Sequence, residues 1–222
     1  MRLRLPLLLG AIAATAVVIS PAHAAGNAAT CSSSKPAAAG KSKPSFKKAA
    51  TVLAKGKRYA IVMNTTCGTI RIVLDRKLGG PIPNSIAFLA TKRFFDGLTF
   101  HRVVADFVLQ GGDPKGDGTG GPGYQVVGAP PSGYRYKIGD FAMAKTSVAP
   151  SGASGSQFFV ISGRNGTSLP PDYGLLGRAT DVASLNTIKR IAALATLECG
   201  DQQGCPPSKK VWIVTARLVT LT

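Results

Sequence analysis

Two runs of β-branched and aromatic residues, separated by a very short segment, constrain the fold of this chain most strongly. The runs cover residues 99–103 and 107–111, and the three residues between them end in Asp106. Such spacing is typical of a β-hairpin with a short loop. If the turn is centred near Asp106, Arg102 and Gln110 lie equally far from it and become cross-strand neighbours. The sequence therefore predicts a guanidinium and an amide side by side on one face of a sheet.

A glycine-rich run follows the second strand of this hairpin. Gly116, Gly118 and Gly121 match the spacing GxGxxG, which in dinucleotide-binding proteins joins a strand to a helix. Here Pro122 and Gly123 come next, and a run of that composition does not begin a helix. The run is therefore predicted to be a turn-rich loop whose glycines adopt positive φ, and no cofactor is expected there.

The chain beyond residue 58 alternates short apolar segments with two helical ones. Strands are predicted at residues 59–63, 69–74, 141–144, 157–161, 175–179 and 211–221, and helices at residues 83–92 and 182–197. Many short strands with two separated helices indicate a barrel. The length of this part, roughly 160 residues, suits one domain with a single core.

The first residues of the chain have the composition of a targeting segment. Two arginines precede a largely apolar run over residues 5–19, and an A-x-A pattern ends at Ala24. This order is typical of a secretory signal peptide, so residues 1–24 are predicted to be removed by cleavage after Ala24. An N-terminal membrane anchor is the alternative, but the apolar run is short for a bilayer span of about 20 residues.

Residues 25–58 are rich in Ala, Ser, Gly, Pro and Lys, with almost no large apolar residue before Val52. Such a segment buries too little surface to offset its ordering entropy, and we expect a flexible basic linker. The whole chain carries a formal net charge of +17, which favours anionic partners. An exported location favours anionic envelope polymers, and the segment lacks the interleaved aromatics of a nucleic-acid groove. No nucleic-acid partner is therefore expected.

Histidine is scarce, and this excludes several classes of enzyme. The chain has two histidines, and His23 belongs to the predicted signal peptide. A Ser-His-Asp triad would therefore depend on His101, whose place in a strand beside bulky residues favours a hydrogen-bonded core histidine. No paired carboxylates of the glycosidase type stand out, and the cysteines have no CxxC spacing, so no metal site is expected.

Two long motifs resemble the signatures of a known family. The run FHRVVADFVLQGGDPKGDGTGGPGY at residues 100–124 and the run GSQFFV at residues 155–160 are similar to those of the cyclophilin family of peptidyl-prolyl cis-trans isomerases. The resemblance covers residues 59–222, the predicted isomerase domain. It implies a mainly β fold, a closed eight-stranded antiparallel β-barrel capped by two α-helices, and an activity that needs no cofactor and no metal.

The resemblance also implies roles for single residues. Arg102 resembles the family's catalytic arginine, and Gln110 resembles the amide that binds the substrate backbone. Phe107, counted with these two as catalytic, resembles part of the proline pocket. The other substrate-binding residues implied are Val108, Phe159 and Leu169 in the proline pocket, Tyr173 at its aromatic edge, and Ala144 and Gln157 in the neighbouring peptide groove.

Four positions depart from the family's best-known pattern. Lys145 stands where asparagine is frequent, Ser168 where tryptophan is frequent, Tyr173 where histidine is frequent, and Val108 where a longer side chain such as methionine is frequent. Loss of the tryptophan is expected to weaken binding of a cyclosporin-type macrocycle more than binding of a short prolyl peptide. Because Tyr173 keeps an aromatic edge, we expect isomerase activity to persist.

The four cysteines, an even number in a chain predicted to be exported, indicate disulfides with three alternative pairings. They are Cys31, Cys67, Cys199 and Cys205. In the family's topology the last strand pairs with the first, which places the entry to that strand near the turn at Cys67. We therefore expect Cys67 to bridge to Cys199 or Cys205, and a local Cys199–Cys205 bridge is the alternative.

The function expected from these observations is that of an exported, monomeric peptidyl-prolyl isomerase that assists folding. Its partners would be unfolded or extended proline-containing polypeptides near the cell envelope. The competing function is that of a non-catalytic peptide-binding or chaperone domain, which binds peptides in the groove but does not accelerate cis-trans exchange. A third function is retention at the envelope through the lysines of residues 25–58.

Overall fold

A computed structural model describes residues 30–196 and 205–222 of the chain. Within these ranges the chain forms ten strands, two α-helices and one 3-10 helix. The strands are β1 (Arg58–Thr65), β2 (Gly68–Leu74), β3 (Thr99–Val103), β4 (Val108–Gly111), β5 (Val126–Val127), β6 (Asp140–Met143), β7 (Ala153–Ser154), β8 (Phe158–Ile161), β9 (Leu175–Arg178) and β10 (Val211–Leu221), and the helices are α1 (Ile82–Thr91), α2 (Val182–Ala192) and the 3-10 helix Asn165–Ser168.

Eight of the strands close into one antiparallel barrel in the order β1-β10-β3-β4-β8-β6-β9-β2, and β5 and β7 form a separate two-stranded sheet. The last strand pairs with the first, from Arg58 opposite Leu221 to Thr65 opposite Ile213. The predicted mainly β barrel with two helices is therefore confirmed. The strands β5 and β7 were not predicted, because two residues are too few for any period to show.

The β3–β4 hairpin has the register that its spacing predicts. Arg102 lies opposite Gln110, and Val103 lies opposite Leu109. Asp106 turns the chain between the strands with φ of 50°, in the left-handed region that aspartate tolerates better than most residues. The predicted cross-strand pair is thus confirmed. On its other side β4 pairs with β8, where Gln110 lies opposite Phe159.

The two helices differ in how they meet the barrel. Helix α1 is buried along most of its length, whereas α2 buries only the stripe that includes Ile188 and Ile191. Asp181 caps α2 by accepting a hydrogen bond from Ser184 N–H at 2.8 Å. The helix ends at Ala192 and not near residue 197 as predicted, because the chain turns and Leu194 C=O accepts a hydrogen bond from the Ser208 backbone at 2.8 Å.

Aromatic rings fill the barrel interior. Phe158 on β8 lies at its centre, with ring centroids of Phe95, Phe100 and Phe141 at 6.1, 5.8 and 5.7 Å. Successive residues of a strand point to opposite faces, so Phe159 belongs instead to a second apolar cluster outside this core. One strand therefore supplies both the core and the wall of the site described below.

Residues 30–57, which we call the strap, contain no helix or strand, as their composition predicts. They nevertheless lie against the barrel: the ring of Phe46 meets Phe88 of α1 at 5.1 Å, and Leu53 is buried among core residues. The Asn84 side chain accepts a hydrogen bond from Leu53 N–H at 3.2 Å. These contacts differ from those of a free-standing linker, while the domain boundaries at residues 24 and 58 stay predictions.

The expected pairing of Cys67 with Cys199 or Cys205 is wrong, because Cys67 is bonded to Cys31 of the strap. The start of β10 does lie beside the β1–β2 turn. Cys205, however, lies beside the end of β3, where its carbonyl accepts a hydrogen bond from Val103 N–H at 2.9 Å. Cys205 is also disulfide-bonded, and Cys199 lies outside the described residues.

The segment predicted to be a signal peptide or a membrane anchor, residues 1–24, lies outside the described residues. Within residues 30–196 and 205–222, none of the helices has the length and apolar character needed to cross a bilayer.

Candidate active site

Eight of the nine predicted site residues line one cavity of about 410 Å³, which we call the hairpin cavity. The β3–β4 hairpin and β8 supply five of them, and Ala144, Leu169 and Tyr173 come from other segments. Its lining is Arg102, Phe107, Val108, Gln110, Ala144, Lys145, Phe159, Leu169 and Tyr173. The ninth predicted residue, Gln157, lies in an adjoining cavity. The structure thus brings the predicted residues together, and their individual roles stay predictions.

A chain of side-chain hydrogen bonds runs from Arg102 along one wall. Arg102 Nη1 lies 3.4 Å from Gln110 Oε1, and Gln110 Nε2 donates to Gln157 Oε1 at 3.1 Å. Gln157 Nε2 in turn donates to the carbonyls of Gly118 at 2.8 Å and Gly120 at 2.9 Å. The chain fixes the orientation of both amides. It also holds the guanidinium over the Phe107 ring, with 6.0 Å from Cζ to the centroid.

Arg102 remains a cation in this setting. Partial burial lowers its pKa because desolvation disfavours the charged form. Arginine is the most basic side chain in proteins, so Arg102 stays protonated at neutral pH despite this lowered pKa. The cavity therefore holds a permanent hydrogen-bond donor beside an apolar wall.

That apolar wall is formed by Val108, Phe159 and Leu169 together with Phe107. Val108 and Phe159 are almost fully buried, and the Tyr173 ring meets Phe159 edge to face with centroids 5.3 Å apart. The edge-to-face arrangement is a favoured geometry for aromatic pairs. Tyr173 thereby extends the aromatic part of the wall beyond Phe159.

The sequence model of the family described as "Cyclophilin type peptidyl-prolyl cis-trans isomerase/CLD" matches residues 60–218. This chain belongs to the cyclophilin family. The motifs at residues 100–124 and 155–160, on which the resemblance was based, both fall inside the matched region.

Curated relatives agree with this assignment. The "Probable peptidyl-prolyl cis-trans isomerase B" of Mycobacterium tuberculosis is 33% identical over 165 residues, 68% of this chain and 52% of the relative. The "Peptidyl-prolyl cis-trans isomerase B" of Streptomyces anulatus is 36% identical over 109 residues, 48% of this chain and 59% of the relative. The chain thus spans between half and three fifths of the length of these bacterial relatives.

A solved structure shows the same fold. It is a cyclophilin type peptidyl-prolyl cis-trans isomerase of Cryptosporidium parvum, determined in the presence of the dipeptide Ala-Pro, with a TM-score of 0.58 and 24% identity. The match covers 73% of this chain and 99% of that one. The Cryptosporidium barrel therefore corresponds to the cyclophilin domain described here.

The cyclophilin domain has a second cavity, of about 720 Å³, beside the first. We call it the glycine-loop cavity, because residues 118–125 line one side of it and Gln157 lines another. Ala144 and Lys145 belong to the walls of both cavities. The two cavities therefore adjoin each other and share a partition, and we call them together the groove.

The loop that lines the second cavity has the turn-rich conformation that its composition predicts. Gly116 and Gly118 adopt φ of 77° and 89°, and Gly123 adopts 90°, whereas Gly121 has no positive φ. The buried carboxylate of Asp113 holds the loop by accepting hydrogen bonds from the backbone N–H groups of residues 115 and 118 at 2.8 and 2.5 Å. Residues 112–125 contain no helix, unlike the strand-to-helix junction of a dinucleotide-binding protein.

Tyr136 supports the site from outside its lining, and the sequence analysis did not identify it. Its hydroxyl donates a hydrogen bond to Tyr173 C=O and accepts one from Tyr173 N–H at 3.2 Å. The side chain is fully buried, and burial raises the pKa of Tyr136, so the hydroxyl keeps the proton that it donates. In the loop before β6, aromatic and charged residues alternate over Tyr134-Arg135-Tyr136, and this pattern was the one sequence signal of a buried aromatic side chain there.

Lys145, noted from the sequence only as a departure, is held by three groups. Its Nζ lies 2.7 Å from Asp172 Oδ2, donates to Ala149 C=O at 3.2 Å, and stands 5.6 Å from the Tyr173 ring centroid. The hydrogen bond from Lys145, with a second from Ser151, lowers the pKa of Asp172. The lysine therefore ties the loop after β6 to the loop before β9.

His101 and Ser168 take no part in the hairpin cavity. His101 lines a different cavity, together with Trp212, and its buried Nδ1 has no hydrogen-bond partner among the described residues. The expectation of a hydrogen-bonded core histidine is therefore wrong for that atom. Burial lowers the pKa of His101, which favours the neutral ring at pH 7. Ser168 is exposed at the end of the 3-10 helix.

No group of His, Cys, Asp or Glu with the geometry of a metal site occurs within residues 30–196 and 205–222. The groove presents a guanidinium, an ammonium, side-chain amides and an apolar wall.

Proposed function

We propose that this protein is a peptidyl-prolyl cis-trans isomerase that accelerates rotation about Xaa-Pro bonds in exported polypeptides and so assists their folding. The observation that carries the proposal is a cationic donor, Arg102, in the same cavity as the apolar side chains of Phe107, Val108 and Phe159. The Ala-Pro dipeptide named with the Cryptosporidium structure supports a proline-containing ligand for a site of this kind.

The reaction requires no nucleophile. Rotation about a peptide bond has a barrier of about 18–20 kcal/mol because the nitrogen lone pair is delocalised into the carbonyl, and Xaa-Pro bonds exchange spontaneously in tens to hundreds of seconds. At the twisted transition state the lone pair returns to the prolyl nitrogen, which can then accept a hydrogen bond. A guanidinium N–H of Arg102 donates that bond, and it stabilises the twisted amide more than the planar one.

The other residues of the cavity position the substrate. Phe107, Val108, Phe159 and Leu169 enclose the proline ring in apolar surroundings, which favour the twisted amide because it is less polar than the planar form. Gln110, held by its bond to Gln157, binds the peptide backbone beside the proline. Each 1.36 kcal/mol by which these contacts prefer the twisted form gives about tenfold in rate.

Replacing Arg102 with alanine tests the proposal. We expect kcat/KM for a short Xaa-Pro peptide to fall by about 100-fold or more, which is typical for loss of one preorganised donor. The kcat/KM of Arg102→Lys should lie between those of the wild type and Arg102→Ala, because an ammonium lacks the planar fork of a guanidinium. Exchange is measured by NMR or by a coupled protease assay.

Arg135→Ala is the matched control, since Arg135 is exposed on a loop and lines neither cavity. It should leave the exchange rate unchanged. Equal rates for wild type and Arg102→Ala would contradict the catalytic role of the guanidinium.

A non-catalytic peptide-binding or chaperone domain is the second candidate. The continuity of the hairpin cavity with the larger glycine-loop cavity favours it, because such a groove holds an extended chain with or without catalysis. The two functions are separated by comparing peptide affinity with exchange rate in the same sample. Binding without acceleration would support the second function.

We propose further that the protein acts as a monomer after export and removal of residues 1–24. The Cys31–Cys67 disulfide supports this location, since disulfides persist mainly in oxidising compartments. Mass spectrometry of the mature protein tests it: a first residue at Ala25 is expected, and retention of Met1 would favour the membrane anchor instead.

A further inference from the structure

Lys145 occupies the partition between the hairpin cavity and the glycine-loop cavity, where its side chain is only 7% exposed. An ammonium has three N–H donors. The described residues supply two acceptors, Asp172 Oδ2 and Ala149 C=O. The Tyr173 ring lies 5.6 Å from the same ammonium. Lys145 therefore brings a cationic charge to the walls of both cavities.

The groove as a whole is positively charged. Among the described residues that line its two cavities, the charged side chains are Arg102 and Lys145, and none is aspartate or glutamate. Asp172 offsets the charge of Lys145 from outside both walls, but its side chain is 36% exposed, so water screens it more than it screens the buried ammonium. A peptide in the groove therefore meets two cations and a partly screened anion.

The partition lies close to the reacting bond. A peptide whose proline fills the hairpin cavity enters the glycine-loop cavity across Ala144 and Lys145, the two residues that the cavities share. An extended chain advances about 3.4 Å per residue, so the residues that pass Lys145 are those within two positions of the proline.

We propose that Lys145 is a specificity-determining residue that selects proline-containing segments with an acidic side chain within two residues of the proline. The proposal rests on the function proposed above, in which the hairpin cavity binds the proline. It concerns a lysine for which the family's best-known pattern has asparagine, and it assigns a substrate class to this chain.

The test compares peptides that differ in one residue. Glu, Gln or Lys is placed in turn at each of the two positions on either side of the proline, and kcat/KM and affinity are measured for every peptide. At one position the wild type should prefer Glu to Gln by about three- to tenfold, the range for one partly screened ion pair. Lys145→Asn should reduce this ratio to about one, and Lys145→Arg should retain it.

Asp172→Asn should change the Glu-to-Gln ratio in the opposite direction from Lys145→Asn. It therefore distinguishes selection by charge from a structural role of the lysine. Loss of the carboxylate leaves the ammonium uncompensated, and the Glu-to-Gln ratio should rise, whereas a variant that merely loosens the loops would lower both rates together. Lys189→Asn, which removes one charge from the exposed face of α2, should leave the ratio at the wild-type value. Because the ratio is taken within one protein sample, changes in folded fraction cancel.

Equal ratios for wild type and Lys145→Asn at all four peptide positions would overturn the proposal. If no peptide is isomerised, affinity decides: tighter binding of the Glu peptide that depends on Lys145 supports the inference while the isomerase function fails. Normal isomerisation with no preference for Glu leaves the isomerase function intact and removes the inference alone.

Discussion

At the scale of single residues, Tyr136 determines the position of Tyr173 in the wall of the hairpin cavity. Its hydroxyl satisfies both backbone groups of Tyr173, and the ring of Tyr173 in turn packs on Phe159. A buried backbone group without a partner costs about 1–3 kcal/mol. The position of Tyr173 is therefore fixed by a residue that lies outside the cavity lining.

Tyr136→Phe should lower the free energy of unfolding by about 1–3 kcal/mol, because both Tyr173 groups lose their partner. It should also raise KM for a prolyl peptide more than it lowers kcat, since the aromatic edge becomes loosely held while Arg102 is untouched. Urea unfolding and exchange kinetics measure the two effects.

Tyr59→Phe is the matched control, since Tyr59 is also buried and its hydroxyl accepts a hydrogen bond from Ala54 N–H at 3.1 Å on the strap. It should lower stability without changing KM. A Tyr136→Phe variant with unchanged KM would show that Tyr173 does not depend on this bond.

The sequence predicted the residues whose spacing or motif is local and missed those whose partner is remote. Arg102 and Gln110 were paired by counting from one turn, and the aromatic and aliphatic wall followed from the resemblance to the family. Lys145 was noted only for its identity, because its role depends on Asp172, which the fold and not the local sequence brings within 2.7 Å. Tyr136 was missed for the same reason.

At the scale of elements, the strap differs most from what its composition suggests, which is a flexible linker without packing contacts. Few of its residues are large and apolar, but Phe46 packs against α1 and Leu53 packs in the core. Gly123 of the glycine loop approaches the strap so closely that an added Cβ would lie 2.1 Å from Ser45 Oγ. The strap thus packs on the back of the loop whose other side lines the groove.

The Cys31–Cys67 disulfide should supply much of the stability of this arrangement. The two cysteines are separated by 36 residues, and a cross-link over a loop of that size stabilises by about 3–4 kcal/mol when it restricts the unfolded chain. The double variant Cys31→Ala/Cys67→Ala should lose about that much in urea unfolding. Exchange by the folded fraction should change little, because neither cysteine lines the groove.

Leu53→Ala tests the packing of the strap independently of the disulfide. A buried leucine truncated to alanine typically costs about 2–5 kcal/mol, and Leu53 is 4% exposed. An unchanged unfolding midpoint in both this variant and the double cysteine variant would mean that the strap contributes nothing to the fold, as expected of a flexible linker.

At the scale of the whole molecule, a group of basic side chains lies beside the strap. Lys47 and Lys48 line one cavity there, Lys57 and Lys77 line another, and Arg76 lies in both. Arg76 also donates hydrogen bonds to the strap carbonyls of residues 54 and 57. The basic segment therefore contributes to a folded cationic surface, which is distinct from the groove.

We propose that this surface retains the protein at anionic envelope polymers, and the triple variant Lys47→Gln/Lys48→Gln/Lys57→Gln tests it. Affinity for poly(glycerol phosphate) should fall by about tenfold or more, because each lysine near an anionic surface contributes about 1 kcal/mol. The wild-type affinity should also decline steeply as salt rises, since exposed charges are screened within about 10 Å at 0.1 M. Binding is followed by fluorescence anisotropy over a salt series.

The control removes the same number of charges from other faces, through Lys92→Gln, Lys189→Gln and Lys210→Gln, all of which are exposed. A surface specific to the strap predicts that this control keeps most of the affinity, whereas general attraction by the net charge of +17 predicts equal losses in both triple variants. Peptide exchange should be the same in all three proteins, because none of the replaced lysines lines the groove. Equal losses would therefore assign envelope binding to the overall charge and remove the strap surface as its cause.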